Sequence, residues 1–341
     1  MILHNELWLL SWDKGAQADC FHCGGGVQMK TVFMFSGQGA QYAGMGKDLY
    51  NNYSVARDIF DRADEVLGYS IKDICFNDEN KLNETEFAQP AILTMSIAAM
   101  KVIEERGIYG DMTAGLSLGE YSAYVASSAM DFEEAVALVQ KRGKFMAEAV
   151  PSGEGAMYAI IGLDTELVEE SCREAVAEGL GLAVPANYNA PGQIVIAGKT
   201  EAVARAAAIA KEKGAKLAVK LKVSGPFHTE LLQPAADKLG PELEKMTISP
   251  MRIPVYTNVT AEKVESEKDI VPILTKQICC PVRWEDIVRN MSAAGADTFI
   301  ELGPGKTLCG FVKRIVKGAT IVNVEDTSSL EKAIDKLNAS V

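Results

Sequence analysis

Long apolar runs are missing from this 341-residue chain. No uninterrupted hydrophobic stretch approaches the roughly 20 residues that a membrane-spanning helix needs. An excess of basic charge is missing as well. The net charge is −12, with the acids spread along the chain rather than gathered in a tail, which argues against a nucleic acid or an anionic membrane as partner. The seven cysteines are odd in number and mostly scattered; they argue against a disulfide framework and suit a reducing compartment. The chain is therefore expected to be soluble and cytoplasmic. No internal repeat or low-complexity tract is present. Histidine is scarce, at positions 4, 22 and 228 only. What remains, 48% hydrophobic and 23% charged residues, is an ordinary globular composition, long enough for one large domain or for two.

Residues 1–28 differ in character from the rest. The apolar stretch Leu7–Leu10 with Trp8 and Trp12 has neither a basic flank nor a small-residue cleavage site, so it makes a poor signal peptide. Cys20, His22 and Cys23, with His4 further off, offer zinc-type ligands, but a lone Cys-x-x-Cys without a second pair is a weak metal signal, and no metal is expected. Gly25-Gly26-Val27 can be encoded by codons that contain a purine-rich ribosome-binding sequence just ahead of Met29. The segment is expected to be a non-native extension, with the native start at Met29.

From Thr31 the pattern becomes regular. Thr31–Phe35 reads as a buried strand running into the loop Ser36-Gly37-Gln38-Gly39-Ala40-Gln41. That loop lacks the Lys-Ser/Thr of a Walker motif and does not fit Gly-x-Gly-x-x-Gly, so it is read as a source of backbone N–H groups at an active-site rim. Helices are expected near 46–50, 52–67 and 90–106, the last with Pro90 in its first turn and Gly107 past its end. A short strand, Met112–Ala114, then delivers Gly115-Leu116-Ser117-Leu118-Gly119. Small residues flanking a serine on a sharp strand-to-helix turn let its hydroxyl point outward, and the first amides of the following helix are free to stabilise an oxyanion. Such a short pattern also arises by chance. Asp131 with Glu134 resembles a capping box opening a helix to about Val150. Within it Gly143 costs ~1 kcal/mol against alanine, which suggests close approach by another backbone or a ligand next to Arg142. Beyond Gly153 and Gly155 the signals run strand, helix, strand, strand, helix, strand to about Leu221, a βαββαβ order of ferredoxin-like type.

A serine nucleophile needs a base. If residues 1–28 are set aside, His228 is the only histidine left, and it sits in the loop Gly225-Pro226-Phe227-His228 where the chain re-enters the larger unit. No acidic residue has an evident claim to be a third triad member.

Taken together, Gly37-Gln38-Gly39-Ala40-Gln41, Gly115 to Tyr121, Lys141 to Phe145, Asn187-Tyr188-Asn189 with Pro191-Gly192-Gln193, Gly225 to His228, Gln277 with Pro281-Val282-Arg283-Trp284, and Gly303-Pro304-Gly305-Lys306 resemble the malonyl-CoA:acyl carrier protein transacylases, in order from about Met29 to Lys317. The resemblance implies an α/β fold: an α/β-hydrolase-like large domain, 29–152 and 223–341, with an inserted ferredoxin-like small subdomain, 153–222. It makes Ser117 the nucleophile and His228 its base, with the Gln277 backbone carbonyl orienting His228. Backbone N–H groups of Gln38 and Leu118 would form the oxyanion hole, and Arg142 would grip the malonyl carboxylate. The implied reaction is a ping-pong transfer of malonyl from malonyl-CoA through a Ser117 ester to the phosphopantetheine thiol of acyl carrier protein, with no cofactor, by a monomer, for fatty acid synthesis. A trans-acting acyltransferase of polyketide synthesis, a serine esterase and a catalytically dead scaffold remain as alternatives. The family's usual elbow is Gly-His-Ser-x-Gly, and Leu116 replaces that histidine here; the Ser117–His228 dyad is expected to survive, with elbow positioning or acyl selectivity open to differ. Phe227 ahead of His228 resembles malonyl-selecting relatives. Lys306, Lys313, Arg314 and Lys317 are candidate cations for docking the carrier protein.

Overall fold

Nine strands alternate with helices among the described residues: β1 (Lys30–Phe35), β2 (Met112–Gly115), β3 (Gly155–Ile161), β4 (Ala183–Ala190), β5 (Gln193–Lys199), β6 (Leu217–Lys220), β7 (Val255–Tyr256), β8 (Ala296–Leu302) and β9 (Thr320–Val324). The computed structural model describes residues 30–223 and 225–339. The expectations of a start at Met29 and of metal-type ligands at His4, Cys20, His22 and Cys23 lie outside the described residues.

The strands form two sheets in an α/β protein. The larger has the order β7-β2-β1-β8-β9, parallel throughout. Helices cover both faces of such a sheet, so its strands are near-continuous apolar runs rather than alternating ones. Val32, Phe33, Met34 and Phe35 are all buried accordingly. The smaller sheet, β4-β5-β3-β6, is antiparallel throughout. Its connecting helices Thr165–Ala177 and Thr200–Glu212 share a separate apolar core with it, including Val168, Cys172, Ile194, Ile196 and Ala206.

Two contacts tie the sheets together beside the site. β4 bonds to the 281–283 segment, with the Tyr188 amide donating to the Val282 carbonyl and the Val282 amide to the Ala186 carbonyl, both at 2.8 Å. Arg314, at the end of the helix Thr307–Ile315, donates to Gln193 Oε1 at 2.6 Å and to the Pro191 carbonyl. This arginine therefore bridges to the turn between β4 and β5 rather than standing as a free surface cation.

Several boundaries differ from the sequence reading. The helix expected from Pro90 runs over Thr85–Glu104, with Pro90 inside it. There a proline loses its own N–H bond and crowds the carbonyl four residues back, and burial of nearly the whole surrounding run offsets that cost. Strand β7 is only two residues long, because the Thr257 amide turns away to the Glu262 carbonyl. At Asp131 the carboxylate caps the amides of Glu133 and Glu134 at 2.9 and 3.2 Å, but Glu134 accepts from the Thr247 amide at 3.1 Å. It is a one-sided cap that fastens the 243–249 segment.

Gly143 lies in the helix Phe132–Glu148, where a Cβ would sit 2.4 Å from the Thr85 carbonyl oxygen. The close approach is thus backbone from the neighbouring helix, and it brings Arg142 over the elbow. Glycine to alanine in an open helix stabilises by ~1 kcal/mol; here Gly143→Ala is expected to destabilise by about 1–3 kcal/mol through overpacking. Urea unfolding of the variant checks this, and a gain in stability would contradict the contact.

Candidate active site

The elbow is built from clashes avoided. β2 hands over to the helix Gly119–Ala126 through Leu116 and Ser117. A Cβ on Gly115 would lie 1.9 Å from the Gly119 carbonyl carbon, and one on Gly119 would lie 2.1 Å from the Phe35 carbonyl oxygen. No side chain fits at either position. Ser117 itself is left-handed, with φ 53, a conformation unfavourable for a residue with a Cβ and sustained only by strong surroundings.

Those surroundings are polar. The Ser117 amide donates to Asn258 Oδ1 at 2.6 Å, Asn258 Nδ2 donates to the Gly115 carbonyl at 2.7 Å, and Gln277 Nε2 donates to the Ser117 carbonyl at 3.0 Å. Both backbone groups of the serine are therefore held by side chains from distant parts of the sequence.

The Ser117 hydroxyl lies 2.7 Å from His228 Nε2. On the other side of the ring, Nδ1 meets two carbonyls, Gln277 at 3.0 Å and Cys280 at 3.2 Å. Carbonyls only accept, so Nδ1 carries the proton and Nε2 presents its lone pair to the serine. His228 is also left-handed, φ 62. Burial, and then the neighbouring Arg142 charge, lower its pKa from 6.5 to about 4.

Arg142 is 1% exposed. Its Nη1 donates to Gln89 Oε1 at 2.8 Å, and its Nη2 donates to Gln277 Oε1 at 3.0 Å and to Ser117 Oγ at 3.2 Å. The guanidinium also lies 5.2 Å from the Tyr121 ring centroid, within cation–π range. Among the described residues no carboxylate forms an ion pair with it. Burial lowers its pKa, and a buried cation without a paired anion marks a place for one to arrive.

These groups open onto a cleft of about 480 Å³ between the two sheets, lined by Gln38, Leu116, Asn189, Phe227 and Phe311 among others. Gln38 stands at the rim with its side chain donating to Thr85 Oγ1 at 3.0 Å. Among the described residues no acceptor is found for the backbone amides of Gln38 and Leu118. Leu116 lies half-buried against Gly37, where a Cβ would fall 2.8 Å from Leu116 Cδ2 and 2.5 Å from its carbonyl oxygen. The Ser117–His228 pair forms without a hydrogen bond from position 116.

The structure thus brings Ser117, His228, Arg142, Gln38, Leu118 and Gln277 to one place. It adds four residues that sequence reasoning missed: Asn258, Gln89, Cys280 through its carbonyl, and Glu120. Glu120 directly follows the elbow motif, so its position was visible but its role was not. Asn258, Gln89 and Cys280 carried no signal, because each acts only after long-range folding.

Comparison with known proteins follows the same lines. The acyl transferase domain family model matches residues 32–334. The chain is 47% identical over 309 residues to the malonyl CoA-acyl carrier protein transacylase of Bacillus subtilis (strain 168), covering 90% of this chain and 97% of the relative. A solved malonyl CoA-acyl carrier protein transacylase from Clostridium perfringens superposes with a TM-score of 0.88 at 46% identity, covering 91% and 98% of the two chains. A further solved structure, described as a type II PKS acyl-carrier protein in complex with its malonyl-transacylase, gives a TM-score of 0.87 at 43% identity, covering 90% and 99%. No helix among the described residues is long and apolar enough to cross a membrane.

The low His228 pKa has a direct consequence. Between 6.5 and about 4 the unfolded chain binds a proton that the folded chain does not, so this group's contribution to stability falls as pH drops through that window. In an NMR titration of imidazole shifts, assigned by loss of the signal in His228→Gln, His228 is expected to stay neutral down to about pH 4. A midpoint near 6.5 would contradict the buried geometry.

Proposed function

The chain belongs to the acyl transferase domain family, and on that premise we propose that it moves malonyl groups from malonyl-CoA to the phosphopantetheine thiol of acyl carrier protein, supplying extender units for fatty acid synthesis. The observation that carries this reading is the placement of Ser117 Oγ between a neutral imidazole at 2.7 Å and a buried guanidinium at 3.2 Å. The first arrangement makes a nucleophile, and the second selects an acyl group that ends in a carboxylate.

In the proposed mechanism His228 Nε2 takes the proton of Ser117 as Oγ attacks the thioester carbonyl. The oxyanion develops between the amides of Gln38 and Leu118, where one donor is typically worth ~10²- to 10³-fold in rate. Collapse expels CoA, whose sulfur receives the proton from His228, and leaves a malonyl ester on Ser117. The phosphopantetheine thiol then gives its proton to His228, attacks the ester carbonyl, and frees Ser117 when His228 returns the proton. The carbonyls of Gln277 and Cys280 supply what an acid would supply in a triad, since they hold the Nδ1 tautomer and ring angle. Arg142 would receive the malonyl carboxylate through Nη1 and Nη2, with the contact to Ser117 Oγ given up as that oxygen becomes an ester.

We read the parallel sheet with its elbow as an α/β-hydrolase-like large domain, 29–152 and 223–341, and the antiparallel sheet as a ferredoxin-like subdomain, 153–222. The βαββαβ order and the strand neighbours support that reading. The enzyme is further proposed to act without a metal or cofactor, as a monomer, in the cytoplasm, with Lys306, Lys313 and Lys317 available to the carrier protein. An esterase has no use for a buried Arg142 and would place an acid on His228.

Steady-state transfer from malonyl-CoA and acetyl-CoA to carrier protein tests the assignment. Arg142→Ala is expected to lose roughly 2–5 kcal/mol of transition-state stabilisation for malonyl and much less for acetyl. Equal losses for the two donors would remove the carboxylate role.

A further inference from the structure

Glu120 sits one turn behind the nucleophile, is 0% exposed, and does not line the cleft. A carboxylate buried in this way costs stability unless it is hydrogen-bonded, and Glu120 has three donors. The Asn258 amide reaches Oε2 at 3.0 Å, Gln277 Nε2 reaches Oε2 at 2.7 Å, and the Tyr124 hydroxyl reaches Oε1 at 3.4 Å. None of the three is a cation. The positive charge that answers Glu120 is Arg142, one amide away: Arg142 Nη2 donates to Gln277 Oε1, and Gln277 Nε2 donates to Glu120.

That amide has one permitted orientation. Both partners of Nε2, the Glu120 carboxylate and the Ser117 carbonyl, only accept, and the partner of Oε1, the guanidinium, only donates. Turning the amide over would set Oε1 against two acceptors and Nε2 against a cation. The Gln277 side chain is therefore polarised from Glu120 toward Arg142, while its backbone carbonyl holds His228 independently. A direct Glu120–Arg142 ion pair would neutralise the cation and leave nothing for an incoming carboxylate. The interposed amide balances the buried charge and leaves the outer face of Arg142 open.

We propose that Glu120 is a positioning residue for acyl selectivity, fixing the Gln277 amide so that Arg142 is held in the orientation that receives the malonyl carboxylate. This rests on the reading of Arg142 given under Proposed function. Glu120 also braces Ser117 through Asn258, but that contribution acts on every acyl donor alike. Burial raises the Glu120 pKa to about 7, against the pull of Gln277, Asn258 and Arg142. These contacts limit the rise that burial causes.

The test is kinetic, on the full-length enzyme, with malonyl-CoA and acetyl-CoA as donors and carrier protein as acceptor. Glu120→Gln keeps volume and hydrogen-bonding capacity but removes the negative charge that holds the Gln277 amide, and through it Arg142, in place. Its malonyl kcat/KM is expected to fall about 10-fold or more, the scale of one lost charge-assisted hydrogen bond, mainly through KM. Its acetyl kcat/KM is expected to change by less than about 3-fold on the same scale. A bracing role alone would lower both donors equally and appear in kcat. Gln277→Met keeps the backbone carbonyl on His228 and breaks the same relay. Because it also frees the Ser117 carbonyl, it should lower transfer from both donors, with malonyl falling about 10-fold further than acetyl, and the malonyl-to-acetyl ratio of the double variant should be no lower than that of the lower single. If circular dichroism shows that Glu120→Gln does not fold, Gln277→Met decides. An unchanged malonyl-to-acetyl ratio in the folded variant, with that ratio collapsing in Arg142→Ala, overturns the role of Glu120 and leaves the transferase reading intact. An unchanged ratio in Arg142→Ala as well overturns both.

Discussion

Ser117 is held in a left-handed backbone conformation at a turn where neither flanking glycine has room for a Cβ, and the rest of the site is arranged around keeping it there. A strained φ at a non-glycine residue costs of order 1–3 kcal/mol and persists only where its neighbours over-determine it. Asn258 and Gln277 clamp the amide and carbonyl of the serine. Phe35, at the end of β1, packs its carbonyl against Gly119 so closely that helix and strand share one surface. Anchored in this way, the hydroxyl projects into the cleft toward His228 and Arg142, and its hydrogen bond to His228 forms without one from Leu116.

Charge balance is the second constraint. Arg142, His228 and Glu120 are all removed from water, and burial pushes each toward its neutral form. For His228 this is useful, because a neutral imidazole is what a base must be. Arg142 stays charged far below its ordinary titration range, so its buried cation is answered at a distance by Glu120 and left unpaired on the side where an acyl carboxylate would sit. Gln277 joins the two systems, its backbone setting the imidazole tautomer and its side chain setting the guanidinium.

Much of this was legible in the sequence, and for identifiable reasons. The elbow shows itself because its steric demand is local, and Gly115 and Gly119 are spaced to meet it. His228 follows from scarcity, and Gly143 announced a close approach that proved to be the Thr85 backbone. The α/β character was readable from strand and helix signals in alternation. What escaped was non-local: Asn258 lies 141 residues from the serine it holds, and Cys280 contributes only a carbonyl. Arg314 read as a free cation, because nothing in its sequence neighbourhood foretells the turn at 190–193 that it bridges. Helix and strand ends, as at Thr85 and Val255, were set by packing against the core and by turn hydrogen bonds that no local pattern displays.

The central step of the proposed reaction is a malonyl ester at Ser117. Rapid mixing with malonyl-CoA followed by intact mass and peptide mapping should show one malonyl group on Ser117, discharged by the addition of phosphopantetheinylated carrier protein and absent from Ser117→Ala. An adduct at another residue, or transfer to the carrier protein without any acylated enzyme, would contradict it.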